Sequence, residues 1–168
     1  MNPNELTTQE WYTVLEGASA ATGVIAASDL SGPLGLVKEA AAGVEALRQG
    51  DWKTPFISAF RTEVLAASKE RQDEFRKIAQ ARQAELRDQK PSKEQSFQMG
   101  LAAISNAVAL VESKAGAEAA AEYRQLVYQT AVKAAEAGKE GGFLGFGGTL
   151  VSEKEQDALN QIKQLLGL

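Results

Sequence analysis

The feature that most constrains the fold is the spacing of the apolar residues, which recur at steps of three and four along most of the chain. The first such stripe is Trp11, Val14, Leu15, Ala18, Ala21 and Ile25. This spacing places the side chains on one face of a helix, whereas a half-buried strand would show strict alternation, and no alternating β-branched run occurs. The sequence therefore predicts an all-α protein, and 168 residues suit a single-domain bundle spanning residues 1–168.

Stripes and turn residues together predict five to six helices. Three capping boxes mark helix starts: Thr7-x-x-Glu10, Ser92-x-x-Gln95 and Ser152-x-x-Glu155. A second helix is expected over residues 33–48, and a fifth carries Tyr123, Leu126, Val127, Thr130, Ala131 and Ala134 on one face. The segment 55–90 contains no internal glycine or proline, and the sequence leaves open whether it is one helix or breaks near residues 67–70.

The middle of the first helix is rich in small residues, including Gly17 and Gly23. A glycine inside a helix costs about 1 kcal/mol relative to alanine, so something must offset that cost. Close approach of a neighbouring helix is the structural interpretation. A cofactor lying against the helix backbone is the alternative.

Residues 61–94 form the most highly charged segment, with nine basic and seven acidic side chains. A solvated helix with ion pairs between neighbouring turns is one interpretation. A protruding arm that binds a partner helix or an acidic surface is the other. The mixed signs argue against nucleic acid, because a phosphate-binding face would be almost purely basic.

Composition excludes several classes of function. The chain has no histidine and no cysteine, which removes the Ser-His-Asp triad, the common zinc sites, the Glu-x-x-His di-iron site and any thiol nucleophile. The net charge of −4 argues further against nucleic acid as a partner. Without a signal peptide or a membrane-spanning run, the sequence predicts a soluble, cytoplasmic protein.

Carboxylate pairs do not suggest a metal site. Glu10 and Glu16, like Glu39 and Glu45, are six residues apart, which is far from a whole number of helical turns. Glu118 and Glu122 share a face, and the alanines between them indicate an exposed acidic ridge.

Three aromatic residues are assigned structural positions. Tyr123 and Tyr128 are expected to place their rings at the core boundary with their hydroxyls outward. Trp52 is expected to cover an edge of the core.

The glycine-rich loop at residues 141–148 precedes a short C-terminal helix and is the stretch that helical periodicity does not explain. Gly142, Gly145 and Gly147 are spaced as in some nucleotide-binding loops. However, the strand of the dinucleotide fingerprint and the Gly-Lys-Ser/Thr ending of the Walker loop are both missing. The loop is interpreted as a structural corner that presses Phe143 and Phe146 into the bundle end, with a ligand loop at the three glycines as the alternative.

Three stretches carry a resemblance to a known group: residues 29–39, residues 137–148 and Val151-Ser152-x-x-Glu155. They resemble an uncharacterised all-helical bacterial protein family with a C-terminal GGFLGFGG…VSxxE motif. The resemblance covers most of the chain and implies a bacterial, single-domain, helical protein. It brings no known activity with it.

The sequence identifies no catalytic residue, no cofactor and no metal ligand, which argues against an enzyme. The first functional hypothesis is a non-enzymatic protein acting in protein–protein interaction or a structural role, self-associating through small-residue faces or segment 61–94. The second is a small-molecule-binding protein or enzyme with a pocket between the first helix and the 141–148 loop. Lys38, Lys139 or Glu140 would supply its polar chemistry. A third is a peripheral membrane or stress-response protein that uses an amphipathic helix.

Overall fold

The structure, a computed structural model, describes residues 6–28, 43–137 and 151–168. Its helices are α1 (Thr8–Ser28), α2 (43–49), α3 (Pro55–Leu65), α4 (Lys69–Gln89), α5 (Lys93–Ala115), α6 (Ala117–Ala137) and α7 (Glu153–Leu166). The described residues contain no strand, so the all-α prediction is confirmed. None of the described helices is long and apolar enough to cross a bilayer.

The described residues form seven helices where five to six were expected, because segment 55–90 divides into α3 and α4. Ala66 ends α3, and the Ser68 hydroxyl caps α4 by accepting a bond from the Arg71 amide at 3.3 Å. The first amides of a helix have no partner within that helix, and the Ser68 hydroxyl provides one for Arg71. This cap therefore favours a new helix start at this point. The glycine-rich loop expected before α7 lies outside the described residues.

The three predicted capping boxes are all present. In the first, the Thr7 amide donates to the Glu10 carboxylate at 2.8 Å and the Glu10 amide donates to the Thr7 hydroxyl at 3.2 Å. Ser92 with Gln95 and Ser152 with Glu155 make the same reciprocal pair. Glu10 also pairs with Lys114 of α5 at 2.7 Å. The Lys114 ammonium and the Thr7 amide together lower the Glu10 pKa to about 2.

Helices α1, α5 and α6 pack against one another and carry most of the buried side chains. The approach of α5 to α1 is very close at Gly17, where an added Cβ would lie 2.2 Å from the Ala107 Cβ. Gly100 of α5 is similarly tight, because a Cβ there would lie 2.5 Å from Val24 Cγ2. Close helix approach therefore explains Gly17. It does not explain Gly23, because no atom of a neighbouring element lies within 4 Å of a Cβ added there.

An aromatic cluster joins α3 to this core. The Trp11 ring stacks on Phe56 and Phe60, with centroids 5.5 and 6.3 Å apart. Phe60 meets Tyr123 edge to face at 6.2 Å. The prediction for Tyr123 is wrong, since its ring is fully buried and its hydroxyl donates to the Val14 carbonyl at 2.6 Å. Burial raises the pKa of that hydroxyl.

Two further local predictions differ in outcome. Trp52 packs partly buried against the core and donates its indole N–H to the Leu47 carbonyl at 3.1 Å, as expected of a core-edge residue. The exposed acidic ridge, in contrast, is found only in part, because Glu118 is exposed whereas Glu122 is partly buried. Its carboxylate accepts the Lys53 and Thr54 amides at 2.5 and 2.9 Å, and so holds the start of α3 on α6. Burial alone would raise the Glu122 pKa, but these bonds and that of the Thr54 hydroxyl outweigh it and lower the pKa.

Helix α4 is the peripheral element. It is 21 residues long and contains no buried residue. It lies against α1, where Arg82 pairs with Glu16 at 3.3 Å and the Thr8 hydroxyl donates to Glu74 at 2.9 Å. Arg71 anchors its start by pairing with Glu63 of α3 at 3.2 Å. Most of the charged segment, residues 69–89, is therefore a helix without buried residues that these polar pairs attach to α1 and α3.

Candidate functional site

The residues singled out for ligand chemistry lie outside the part of the chain that the structure describes. This applies to the loop glycines Gly142, Gly145 and Gly147 and to Lys38, Lys139 and Glu140. A ligand loop at residues 141–148 therefore stays a prediction. The described helices do line a different site, which also borders α1 and opens to solvent beside the exposed Ser19.

That site is a cavity of about 130 Å³ between α1, α2, α3 and α6. Its α1 wall consists of Leu15, Ala18, Ser19 and Thr22. These positions are spaced at steps of three and four, so they share one face of the helix. Ala18 and Ser19 are short, and their small side chains leave room between α1 and the helices opposite.

Helices α2 and α3 form the neighbouring walls. They contribute apolar side chains and one glycine: Gly43, Val44, Leu47, Phe60 and Val64. A polar bridge beside the cavity holds α2 in place, since Lys133 of α6 donates to Gln49 at 2.8 Å and Gln49 donates to Glu45 at 2.6 Å. The walls from α2 and α3 are thus apolar, and each is fastened to α6 by polar contacts outside the cavity.

The α6 wall contributes Leu126 and Thr130, one helical turn apart. Thr130 is 1% exposed, and its hydroxyl has no hydrogen-bond partner. It faces α2, because a Cβ on Gly43 would lie 3.3 Å from Thr130 Cγ2 and 4.0 Å from its Oγ1. A buried hydroxyl without a partner costs about 1–3 kcal/mol, so this is an unusual group to retain in an apolar cavity.

No charged side chain lines the cavity within the part of the chain that the structure describes. The Thr22 hydroxyl is already engaged, because it donates to the Ser19 carbonyl of its own helix at 2.7 Å. Ser19 also lines the cavity but is exposed, and Thr22 is only partly buried. Among the described lining residues, Thr130 is therefore the buried one with a hydroxyl that can bind a polar atom in the interior. Such an arrangement can bind and orient a molecule, but it offers no acid, base or charged nucleophile to transform one.

Sequence reasoning placed Thr130 on the inward stripe of its helix without assigning it a role. The available signal was a hydroxyl residue among Leu126, Val127 and Ala131 on a core face. That signal is weak, because a helical threonine usually bonds a carbonyl of its own preceding turn. Only the structure reveals that this bond is not made.

Two broader clefts are more polar. One of about 440 Å³ lies between α5, α6 and α7 and contains the Glu112–Arg124 ion pair at 2.8 Å. The other, of about 270 Å³, lies where α1, α5 and α7 meet and includes Lys93 and Lys154 beside Glu94 and Asp157. Residues 6–28, 43–137 and 151–168 contain no group of three or more carboxylates placed to hold a metal ion.

Comparison of the chain with protein-family models, curated proteins and solved structures finds no match.

Proposed function

We propose that this protein binds a small, mostly apolar molecule in the cavity between α1, α2, α3 and α6. The observation that carries the proposal is the Thr130 hydroxyl, which is buried without a partner in an apolar space of about 130 Å³. An engineered apolar cavity of about 150 Å³ in another protein stays dry and binds benzene, so a space of this size holds a small ring.

The empty site lowers the stability of the protein in two ways that a bound ligand would relieve. At about 24 cal/mol per Å³, a closed empty cavity of about 130 Å³ would lower stability by about 3 kcal/mol, and this is an upper limit because the cavity opens to solvent beside the exposed Ser19. The unpaired hydroxyl adds about 1–3 kcal/mol. These costs are large beside the 5–15 kcal/mol by which folded proteins are typically stable. A ligand that fills the space and bonds the hydroxyl would offset both.

The proposed role is binding without reaction. The described cavity wall has no titratable side chain, and the chain has neither histidine nor cysteine. A reaction inside this cavity would lack a group that moves a proton near neutral pH.

Thermal unfolding in the presence of toluene tests this proposal. A ligand at ten times its dissociation constant should raise the midpoint by about 3–6 °C for a chain of this size. Ala18→Leu, which fills the cavity from α1, should abolish the shift. Ala102→Leu, the same change at an exposed position of α5, should leave it unchanged. A shift that persists in Ala18→Leu, or no shift with any small apolar probe, would contradict the proposal.

A second candidate is self-association through α4, which the lack of any buried residue in that helix favours. Its exposed residues carry both signs of charge, among them Lys77, Arg87 and Asp88. A second copy lying antiparallel could therefore place opposite charges together, whereas a nucleic acid could not satisfy the acidic ones.

Light scattering across protein concentration tests this second candidate. At low salt the apparent mass should rise with protein concentration. The combined Lys77→Glu and Arg87→Glu changes should weaken that rise, because they make α4 strongly acidic and two copies would then repel each other. A strict monomer at high concentration and low salt would count against association.

A further inference from the structure

The cavity also indicates which chemical class of ligand it would take, an inference that rests on the proposed binding function. Its volume of about 130 Å³ is close to that of a cavity that accepts benzene, so the ligand has roughly six to nine non-hydrogen atoms. A nucleotide, a sugar phosphate or a long acyl chain is too large for this volume.

The ligand must also be uncharged. The described lining residues include no lysine, arginine, aspartate or glutamate that could pair with an ion. An isolated charge transferred into such an apolar environment loses its hydration without compensation, which is very unfavourable. Small carboxylates and amines are therefore excluded in their ionised forms.

The ligand must also carry one polar atom that can bond the Thr130 hydroxyl. The Thr130 hydroxyl is buried and unpaired, and a hydroxyl can both donate and accept a hydrogen bond. A single water deep in the cavity is a poor partner, because a buried water needs two to four polar neighbours and Thr130 is the one described lining residue that is both buried and polar. We propose that the ligand is a small neutral alcohol, phenol or ketone whose oxygen bonds Thr130 while its hydrocarbon part contacts Leu15, Leu47 and Phe60.

Phenol and toluene provide a matched pair of probes, because they have the same shape and differ by a hydroxyl in place of a methyl group. Calorimetric titration of both into the wild type and into Thr130→Val forms a double-mutant cycle. The ratio of phenol affinity to toluene affinity should be about five- to tenfold higher in the wild type, which is the usual effect of one hydrogen bond. Thr130→Ser, which keeps a hydroxyl, should retain most of that preference.

The outcomes separate the two proposals. If toluene binds and Ala18→Leu blocks it, but the phenol-to-toluene ratio is the same in wild type and Thr130→Val, the ligand class is wrong and the binding function stands. Stronger binding of benzoate than of phenol would also overturn the ligand class. If neither toluene nor phenol binds the wild type, both proposals fail. A ratio that falls in Thr130→Val and recovers in Thr130→Ser supports both.

Discussion

Gly17→Ala is expected to destabilise the protein by about 3 kcal/mol, the upper part of the usual range for overpacking. The added Cβ would lie 2.2 Å from the Ala107 Cβ and 3.2 Å from the Ala103 carbonyl oxygen. Neither atom can move away by a side-chain rotation, so α1 and α5 would have to separate. Urea unfolding followed by circular dichroism measures the change.

Gly23→Ala is the matched control, since it makes the same substitution later in the same helix. Nothing lies within 4 Å of a Cβ at this position, so the variant should gain helix propensity and become more stable by about 0.5–1 kcal/mol. If both variants shift stability in the same direction, the close α1–α5 approach is not what determines the effect at Gly17.

Trp11→Ala should destabilise the protein by about 3–5 kcal/mol, as expected when a large buried aromatic side chain is removed. Trp11 is 3% exposed and stacks on Phe56 and Phe60. Its loss would leave a cavity where α3 meets α1 and remove two aromatic contacts. Chemical denaturation of the purified variant gives the free energy of unfolding.

Trp52→Ala is the comparison for that experiment. Trp52 is only partly buried, although its indole donates to the Leu47 carbonyl. The expected loss is about 1–2 kcal/mol, in proportion to the smaller area buried. A loss at Trp52 that equals or exceeds the loss at Trp11 would contradict the assignment of Trp11 to the centre of the core.

Local sequence signals predicted the helices well. The capping boxes at Thr7, Ser92 and Ser152 form as expected, because each depends on atoms within four residues of one another. The inward stripes of α1 and α6 also hold, since a helix fixes which side chains share a face. The break between α3 and α4 was harder to predict, because a serine cap competes with a sequence that otherwise suits a continuous helix.

Long-range contacts account for the errors. Tyr123 is fully buried because the missing side chain at Gly17 leaves space for its hydroxyl, which then reaches the Val14 carbonyl. Glu122 is held by Lys53 and Thr54, which are distant in sequence. Neither partner can be identified from helical spacing, because spacing describes one helix at a time.

The sequence by itself determined that the described chain is helical, where most helices begin and which faces are buried, since propensity, capping and periodicity act over a few residues. Only the tertiary structure decided that α1, α2, α3 and α6 leave a cavity of about 130 Å³ and that Thr130 faces it without a partner. A cavity is the volume that remains after four helices have packed, and its existence depends on the distances between them. No single stretch of sequence determines those distances.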